Sequence, residues 1–209
     1  MKVVAFNGSP RKEGNTYQAI KMVAEELEKE GIEVEIVHVG DKVVRGCRAC
    51  NFCVKNKSEK CVTDDDQVNE WIQKMLAADG IILGSPVYFS GISGTMKSFL
   101  DRAFYIAGNG LLKSKVGVAV VAVRRSGGVA ALDQLNHYLH YAQMVVPSSN
   151  YWNVIHGRVP GETDKDEEGK QIMRILGRNM AWLLKLIENG KGTVAGPEQE
   201  KKVFTNFIR

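Results

Sequence analysis

The feature that most constrains the fold of this chain is an alternation between short apolar runs and amphipathic stretches with helical periodicity. Such an alternation predicts βαβ units, and therefore a parallel sheet with helices on both faces. We predict strands at the apolar segments 2–6, 33–39, 80–85, 116–123 and 142–148. We predict helices near residues 15–30, 68–78, 93–106, 128–142 and 170–190.

Five strands in this sequence fit a doubly wound, three-layer α/β fold with a five-stranded parallel sheet in the order 2-1-3-4-5. Ligands of such folds bind beyond the carboxyl ends of the strands. We expect residues 1–190 to form a single domain, with a cysteine-rich insertion at 46–62 and a C-terminal tail at 191–209. The charged stretch 161–170 is expected to be a solvated loop. The apolar part of the tail, "VFTNFI", could dock on the core or on another subunit.

Charge and hydropathy argue against nucleic acid and membrane partners. The formal net charge is +4 and the isoelectric point about 8.8, but the basic residues are scattered and form no stripe with interleaved aromatic residues. The longest apolar run, 116–123, has the length of a strand, and the N-terminal apolar run is too short for a signal peptide. We therefore expect a cytoplasmic protein whose thiols stay reduced.

The polar turn after the first strand, "NGSPRKEGNT", lies where a doubly wound fold binds phosphate. The N–H groups at the start of the next helix favour an anion. Ser9, Asn15 and Thr16 add polar donors, and Arg11 adds a positive charge. The turn matches neither G-x-G-x-x-G nor G-x-x-x-x-G-K-[ST], so the usual dinucleotide and nucleoside triphosphate sites are not indicated. We predict a phosphate site; the alternative is a plain turn with a helix cap.

The turns after the third and fourth strands, "GSPVYFSGISGTMKSFLDR" at 84–102 and "RRSGG" at 124–128, fall at the same edge of the predicted sheet. Tyr88 and Phe89 would lie beside a flat ligand there, although they could instead cover the core. The glycines of the second turn allow a ligand to approach the backbone closely, or they simply begin a helix. Three turns at one edge predict a binding site.

These three segments resemble the NADPH-dependent FMN reductases of the flavodoxin-like superfold, in order and spacing, over about residues 1–150. The resemblance implies that the FMN phosphate is held by Ser9, Arg11, Asn15 and Thr16. It also implies that the flavin ring or its ribityl chain contacts seven residues: Pro86, Val87, Tyr88, Phe89, Ser90, Gly127 and Gly128. No side chain is then needed as a catalytic acid or base, because the flavin carries the chemistry.

All four cysteines of the chain lie in the segment "GCRACNFCVKNKSEKC", at Cys47, Cys50, Cys53 and Cys61. In a reducing compartment such a group indicates metal or redox chemistry more than a disulfide framework. Zinc would also accept four cysteines, although its structural sites usually pair two separate C-x2-C knuckles. Free thiols are the third possibility. The histidines form no set of metal ligands with one another or with the cysteines, so we expect packing roles for them.

Within the FMN reductase family this segment resembles that of the iron–sulfur flavoproteins, in which C-x2-C-x2-C is followed by a fourth cysteine. The resemblance implies a [4Fe–4S] cluster bound by Cys47, Cys50, Cys53 and Cys61, with one thiolate at each iron. The gap of seven residues before Cys61 is at the long end for this motif. The acidic run 64–66 that follows is expected to cap the next helix.

We therefore expect an FMN-dependent oxidoreductase with a [4Fe–4S] cluster that transfers electrons between a ferredoxin-like donor or NAD(P)H and an acceptor. One alternative is a cluster-free NAD(P)H-dependent FMN or quinone reductase. Another is a flavodoxin-like electron carrier with no substrate of its own, for which an acidic surface rather than a positive net charge would be expected. A redox-sensing regulator is a third, but no DNA-reading element supports it. The resemblance also implies a homodimer or homotetramer.

Overall fold

Strands and helices alternate along the chain as the sequence predicts. A computed structural model describes residues 1–108, 110–198 and 200–208. Its strands are β1 (Lys2–Asn7), β2 (Glu33–His38), β3 (Gly80–Pro86), β4 (Val116–Val123) and β5 (Val154–His156). Its helices are α1 (Asn15–Lys29), α2 (Phe52–Lys55), α3 (Val68–Ala77), α4 (Gly94–Ala107), α5 (Gly128–Tyr141) and α6 (Glu167–Gly190), with a 3₁₀ helix at Glu162–Lys165.

The five strands form one parallel sheet in the order β2-β1-β3-β4-β5, which confirms the predicted doubly wound architecture. Both faces of the sheet are covered. One core layer joins β1 and β3 to α3, α4 and α5 through residues such as Phe6 and Leu83. The other joins the sheet to α1 and α6 through residues such as Ala5 and Ile82. Burial on both faces explains why the central strands read as continuous apolar runs.

The predicted fifth strand is wrong. The apolar run 142–148 contributes only one isolated bridge, between Val145 and Val116. The strand that pairs with β4 is β5, in a register that sets Val154 opposite Val121. Pro147 supplies a physical reason, because a proline has no N–H to give to a ladder and so interrupts strand pairing.

The prediction of a solvated loop at 161–170 is wrong in part. Helix α6 begins at Glu167, because the Asp166 carboxylate accepts a hydrogen bond of 2.9 Å from the N–H of Gly169 and caps the helix. Thr163, in the preceding 3₁₀ helix, is fully buried. The charged stretch therefore contains two buried residues, Thr163 and Gly169.

The C-terminal tail adds no strand or helix in its described part. The apolar residues of its segment 203–208 are strongly exposed, from 80% for Phe204 to 94% for Phe207. Residues 199 and 209 of the predicted tail lie outside the described residues. The proposal that this segment docks on another subunit stays a prediction.

Candidate functional site

Three turns meet at the carboxyl edge of the sheet, where parallel strands place their ligands. The turn after β3 touches the turn after β1, since the hydroxyl of Ser93 donates a hydrogen bond of 2.6 Å to the carbonyl oxygen of Gly8. It also touches the turn after β4, since a Cβ on Gly127 would lie only 3.0 Å from the Cα of Ser90. The predicted convergence of the three turns is therefore observed as direct contact.

The turn after β1 is held by its own polar groups. The N–H of Ser9 donates to the side-chain oxygen of Asn7 at 3.0 Å, and the N–H of Arg11 donates to the Ser9 hydroxyl at 3.2 Å. His38, at the end of β2, lies 2.8 Å through its Nε2 from the carbonyl oxygen of Ser9. The sequence gives no signal for this role of His38, because it depends on how β2 pairs with β1.

The start of α1 offers free donors to an anion. Gly14 precedes the helix and makes no side-chain cap, and the first turn carries no acidic residue. The first N–H groups of a helix have no partner within it and carry a partial positive charge. Thr16 is buried and Asn15 half-buried at this helix start, while Arg11 is exposed beside it. The arrangement suits a phosphate.

Two residues from beyond position 150, Gly157 and Thr163, join this turn, and neither is predicted from the sequence. A Cβ on Gly157 would lie 2.7 Å from the side-chain nitrogen of Asn15 and 3.1 Å from the N–H nitrogen of Thr163. The hydroxyl of Thr163 and the side-chain oxygen of Asn15 are buried without a hydrogen-bond partner among the described residues. Buried polar groups are normally satisfied, so unpaired ones beside a donor-rich turn point to a polar ligand.

The turn after β3 projects an aromatic side chain into solvent. Tyr88 and Gly91 exchange two backbone hydrogen bonds of 2.9 Å, and the two residues between them both have positive φ, 50° at Phe89 and 62° at Ser90. Left-handed backbone is strained for a bulky residue. Tyr88 is 48% exposed and Phe89 fully exposed, so neither covers the core as the alternative interpretation required.

The turn after β4 requires its glycines. Gly127 has φ of 87°, a conformation that residues with a side chain rarely adopt. A Cβ on Gly128 would lie 2.7 Å from a methyl carbon of Val154 on β5. Of the remaining predicted ring contacts, Pro86 and Val87 are half-buried beside this turn and Ser90 is exposed.

A cavity of about 520 Å³ opens beside the glycine turn, between the starts of α5 and α6. Arg125, Trp152 and His156 are among the residues that line it, together with Asp166. Burial raises the pKa of the Asp166 carboxyl, but the N–H groups of Gly169 and His156 outweigh this effect and lower the pKa. The ionised carboxylate of Asp166 is therefore stabilised by the N–H groups that it caps at the start of α6.

The four cysteines line one small cavity, whose other lining residues come from the same segment of the chain and from α4. Cys47 and Cys50 are exposed, whereas Cys53 and Cys61 are half-buried and pack against the core. Burial raises the pKa of the Cys53 thiol, and the neighbouring Cys47 and Cys61 thiolates raise it further. In the described part of the chain, no three His, Cys, Asp or Glu side chains are grouped to hold a metal ion.

The acidic run after the cysteines does more than cap a helix. Of the run predicted to cap α3, Asp66 accepts a hydrogen bond of 3.1 Å from the N–H of Val68, whereas the N-cap residue itself is Gln67 and makes no side-chain cap. Its second carboxylate oxygen pairs with Arg102 of α4, and both side chains are nearly buried. The sequence gives no signal for this pair, which links the end of the cysteine segment to the core.

Comparison with known proteins points to one family. Residues 1–158 match the family described as NADPH-dependent FMN reductase. An iron–sulfur flavoprotein of Methanocaldococcus jannaschii is 38% identical over 90% of this chain and 100% of its own length. An iron–sulfur flavoprotein of Methanosarcina thermophila is 31% identical over 91% of this chain and 99% of its own length. An NADPH azoreductase of a Bacillus species is 29% identical over 65% of this chain and 67% of its own length.

Solved structures share the fold. RosB, in a structure with bound 8-demethyl-8-formylriboflavin 5′-phosphate, superposes with a TM-score of 0.71 and 16% identity, over 100% of this chain and 94% of RosB. A flavodoxin from the domain Archaea superposes with a TM-score of 0.60 and 16% identity, over 88% of this chain and 99% of the flavodoxin. At this level of identity the similarity concerns the flavodoxin-like fold alone.

Proposed function

The chain belongs to the NADPH-dependent FMN reductase family, as an iron–sulfur flavoprotein, and from that membership we propose that it holds FMN and a [4Fe–4S] cluster. In this proposal the oxidoreductase takes electrons from a ferredoxin-like donor or NAD(P)H and passes them to an acceptor. One observation carries it: three turns with free donors and an exposed aromatic residue meet at the sheet edge, while four cysteines share a separate cavity.

The turn after β1 is proposed to bind the FMN phosphate through Ser9, Arg11, Asn15 and Thr16. The free N–H groups at the start of α1 support this assignment, because they favour an anion. The buried and unpaired hydroxyl of Thr163 supports adding that residue, since a hydroxyl can donate to a phosphate oxygen. The close approach of Gly157 to Asn15 brings this fifth residue to the same turn.

The turns after β3 and β4 are proposed to bind the flavin ring and its ribityl chain. The strained backbone at Phe89 and the close contact of Gly127 with Ser90 support a rigid surface there. The proposed contacts are Pro86, Val87, Tyr88, Phe89, Ser90, Gly127 and Gly128. These residues would orient the ring and shield one side of it from water, with no side chain acting as acid or base.

The cysteine cavity fits a cluster better than a single ion. All four cysteines line it, yet within the described residues no three of them are grouped to hold a single metal ion. A [4Fe–4S] cluster takes one thiolate at each of four irons and so spaces its ligands more widely than zinc does. Cys47, Cys50, Cys53 and Cys61 are the proposed ligands. Bound FMN would supply one- and two-electron chemistry, and a bound cluster would supply one-electron chemistry.

A second candidate is a cluster-free NAD(P)H-dependent reductase. The similarity to an NADPH azoreductase favours it. In this case the cysteines would be free thiols, and the nicotinamide would lie on the exposed face of the flavin. A flavodoxin-like carrier has no comparable support.

The deciding experiment is to purify the full chain without oxygen and to measure iron, acid-labile sulfide and released flavin. Four irons, four sulfides and one FMN per chain are expected for a [4Fe–4S] flavoprotein. FMN without iron or sulfide would favour the cluster-free reductase. Release of FAD, or a protein that takes up no flavin, would overturn the assignment of the three turns.

We further propose that the protein assembles as a homodimer or homotetramer. The cysteine segment and the exposed apolar residues of the tail, such as Phe207, are plausible parts of the interface. Light scattering at micromolar concentration tests this, and a monomer would contradict it. Within the described residues, no helix combines the length and apolar character needed to cross a bilayer.

A further inference from the structure

Cys61 is held more firmly than the cysteines at the other end of the segment. Its N–H donates a hydrogen bond of 2.7 Å to the side-chain oxygen of Asn69 on α3, and the Asn69 amide donates to its carbonyl oxygen at 3.0 Å. Cys61 also packs against the core, whereas Cys47 and Cys50 are exposed. One end of the cysteine cavity is therefore built onto a core helix.

Arg102 lies buried at this end of the cavity. Its side chain is 1% exposed, although it lines the same cavity as all four cysteines. The guanidinium pairs with Asp66 and donates to the carbonyl oxygen of Thr63 at 2.7 Å and to that of Arg45 at 3.4 Å. A buried arginine and four cysteines thus line the same cavity.

One donor of this guanidinium is unused. The Nε of Arg102 is buried and has no hydrogen-bond partner among the described residues. Leaving a buried charged donor unpaired is unfavourable, so a further acceptor is expected nearby. The guanidinium lines the same cavity as Cys61 and binds the backbone of Thr63, two positions further along the chain.

Because Arg102 is buried, its charge interacts with neighbouring groups more strongly than the exposed charges around it do. Interactions between charges grow as the surroundings become less polar, and salt screens exposed groups far more than buried ones. Arg48 also lines the cavity, but it is exposed to solvent. Among the charged residues that line the described cavity, Arg102 is thus the buried one, which acts with little screening, and its buried partner Asp66 carries the opposite sign.

We propose that Arg102 raises the reduction potential of the iron–sulfur group bound by the four cysteines, with Asp66 moderating the effect. This inference rests on the proposed function. Reduction adds one electron, taken from the donor, and therefore one negative charge beside the guanidinium. Arg102 stabilises that reduced form more than the oxidised form, so it acts as a positioning and tuning residue rather than a ligand.

A structural role alone makes a different prediction. Arg102 also ties the backbone of Thr63 and Arg45 to α4, and its loss could loosen the segment without any electrostatic effect. Loosening exposes the site in the same way whichever partner of the pair is changed. An electrostatic role shifts the potential in opposite directions when the positive and the negative partner are neutralised.

The test compares four variants of the full chain, Arg102→Met, Arg102→Lys, Asp66→Asn and Arg48→Met, each purified without oxygen. Iron and sulfide are measured first, and the potential is then measured by a mediated redox titration followed by electron paramagnetic resonance. At a fixed potential, Arg102→Met should lower the ratio of reduced to oxidised cluster about tenfold, a shift of about 59 mV for one electron. Asp66→Asn should raise the reduction potential. The potentials of Arg102→Lys and Arg48→Met should stay near that of the wild type.

The outcomes separate this inference from the proposed function. If the wild-type protein contains no iron or sulfide, the proposed cluster is wrong, and so is the proposed role of Arg102. A full cluster whose potential is the same in Arg102→Met and Arg48→Met would overturn only the role of Arg102. If Arg102→Met fails to fold or to hold iron, Asp66→Asn decides: a higher potential supports the inference, and an unchanged or lower one overturns it.

Discussion

The side-chain hydroxyl of Ser93 donates a hydrogen bond of 2.6 Å to the carbonyl oxygen of Gly8, although the two residues are 85 positions apart in the chain. Both groups are buried, so the bond joins the turn after β3 to the turn after β1 away from water. The two halves of the proposed FMN site are thereby held at a set distance before any ligand binds. Such preorganisation reduces the ordering cost of binding.

Ser93→Ala should destabilise the protein by about 1–3 kcal/mol, because it leaves the buried Gly8 carbonyl without its donor. FMN affinity should fall as well, since the two turns lose their link. Urea denaturation and flavin titration of the apoprotein measure the two effects. Ser98→Ala, half-buried on the helix α4 that follows Ser93, is the control and should change stability by less than about 0.5 kcal/mol. Equal stability of the two variants would contradict the role of this bond.

Gly127→Ala should weaken FMN binding as well as stability. Its φ of 87° costs an alanine about 1–2 kcal/mol, and the new Cβ would press on Ser90. Gly31→Ala is a matched control, because Gly31 has φ of 76° but nothing within 4 Å of an added Cβ, at the opposite edge of the sheet. Both variants should be less stable, and only Gly127→Ala should bind FMN more weakly. If Gly127→Ala binds FMN with the affinity of the wild type, the turn after β4 is not part of the FMN site.

Replacing Arg11 and Asn15 together by alanine should weaken FMN binding by several kcal/mol, since hydrogen bonds to a charged group contribute about 1.5–3 kcal/mol each. Riboflavin, which lacks the phosphate, should bind the variant and the wild type with similar affinity. Fluorescence titration of the apoproteins with both flavins measures this. Lys12→Ala, exposed in the same turn, controls for charge loss alone. An equal loss for riboflavin would show that the turn does not bind the phosphate.

Asn69→Ala should lower the iron content of protein purified without oxygen while leaving its FMN content unchanged. Asn69 holds both the N–H and the carbonyl oxygen of Cys61, and the phosphate and ring turns lie elsewhere. Cys→Ala changes at positions 47, 50, 53 and 61 should each remove most of the iron. Gln73→Ala is the matched control, since Gln73 also bonds the cysteine segment from α3 but at the Glu59 carbonyl. Normal iron content in Asn69→Ala would show that this clamp is dispensable.

Asp166→Ala should destabilise the protein at neutral pH by about 0.5–2 kcal/mol through loss of the α6 cap. The pKa of Asp166 is lowered in the folded state. Its contribution is therefore fully present above the unfolded value of about 3.9 and is lost as pH falls through the folded pKa. The stability difference between variant and wild type should shrink below about pH 4, as urea denaturation across pH would measure. The exposed Asp164→Ala should show little difference at any pH.

The sequence predicted the sheet order and the placement of the three turns because both follow from local pattern. Short, valine-rich apolar runs such as 116–123 are typical of strands buried on two faces, and parallel strands place their following turns at one edge. The prediction failed at 142–148, where apolar residues without a free N–H at Pro147 did not form a strand. It also missed the burial of Thr163 within a charged stretch.

Other features depend on contacts between residues distant in sequence, which no local pattern encodes. The link between Ser93 and Gly8, the contact of His38 with Ser9 and the clamp of Asn69 on Cys61 all arise from how helices and strands pack. Arg102 appears in the sequence as one basic residue among many. Only the tertiary structure buries it behind the cysteines, because the packing of α4 against the sheet closes off the solvent that would otherwise screen its charge.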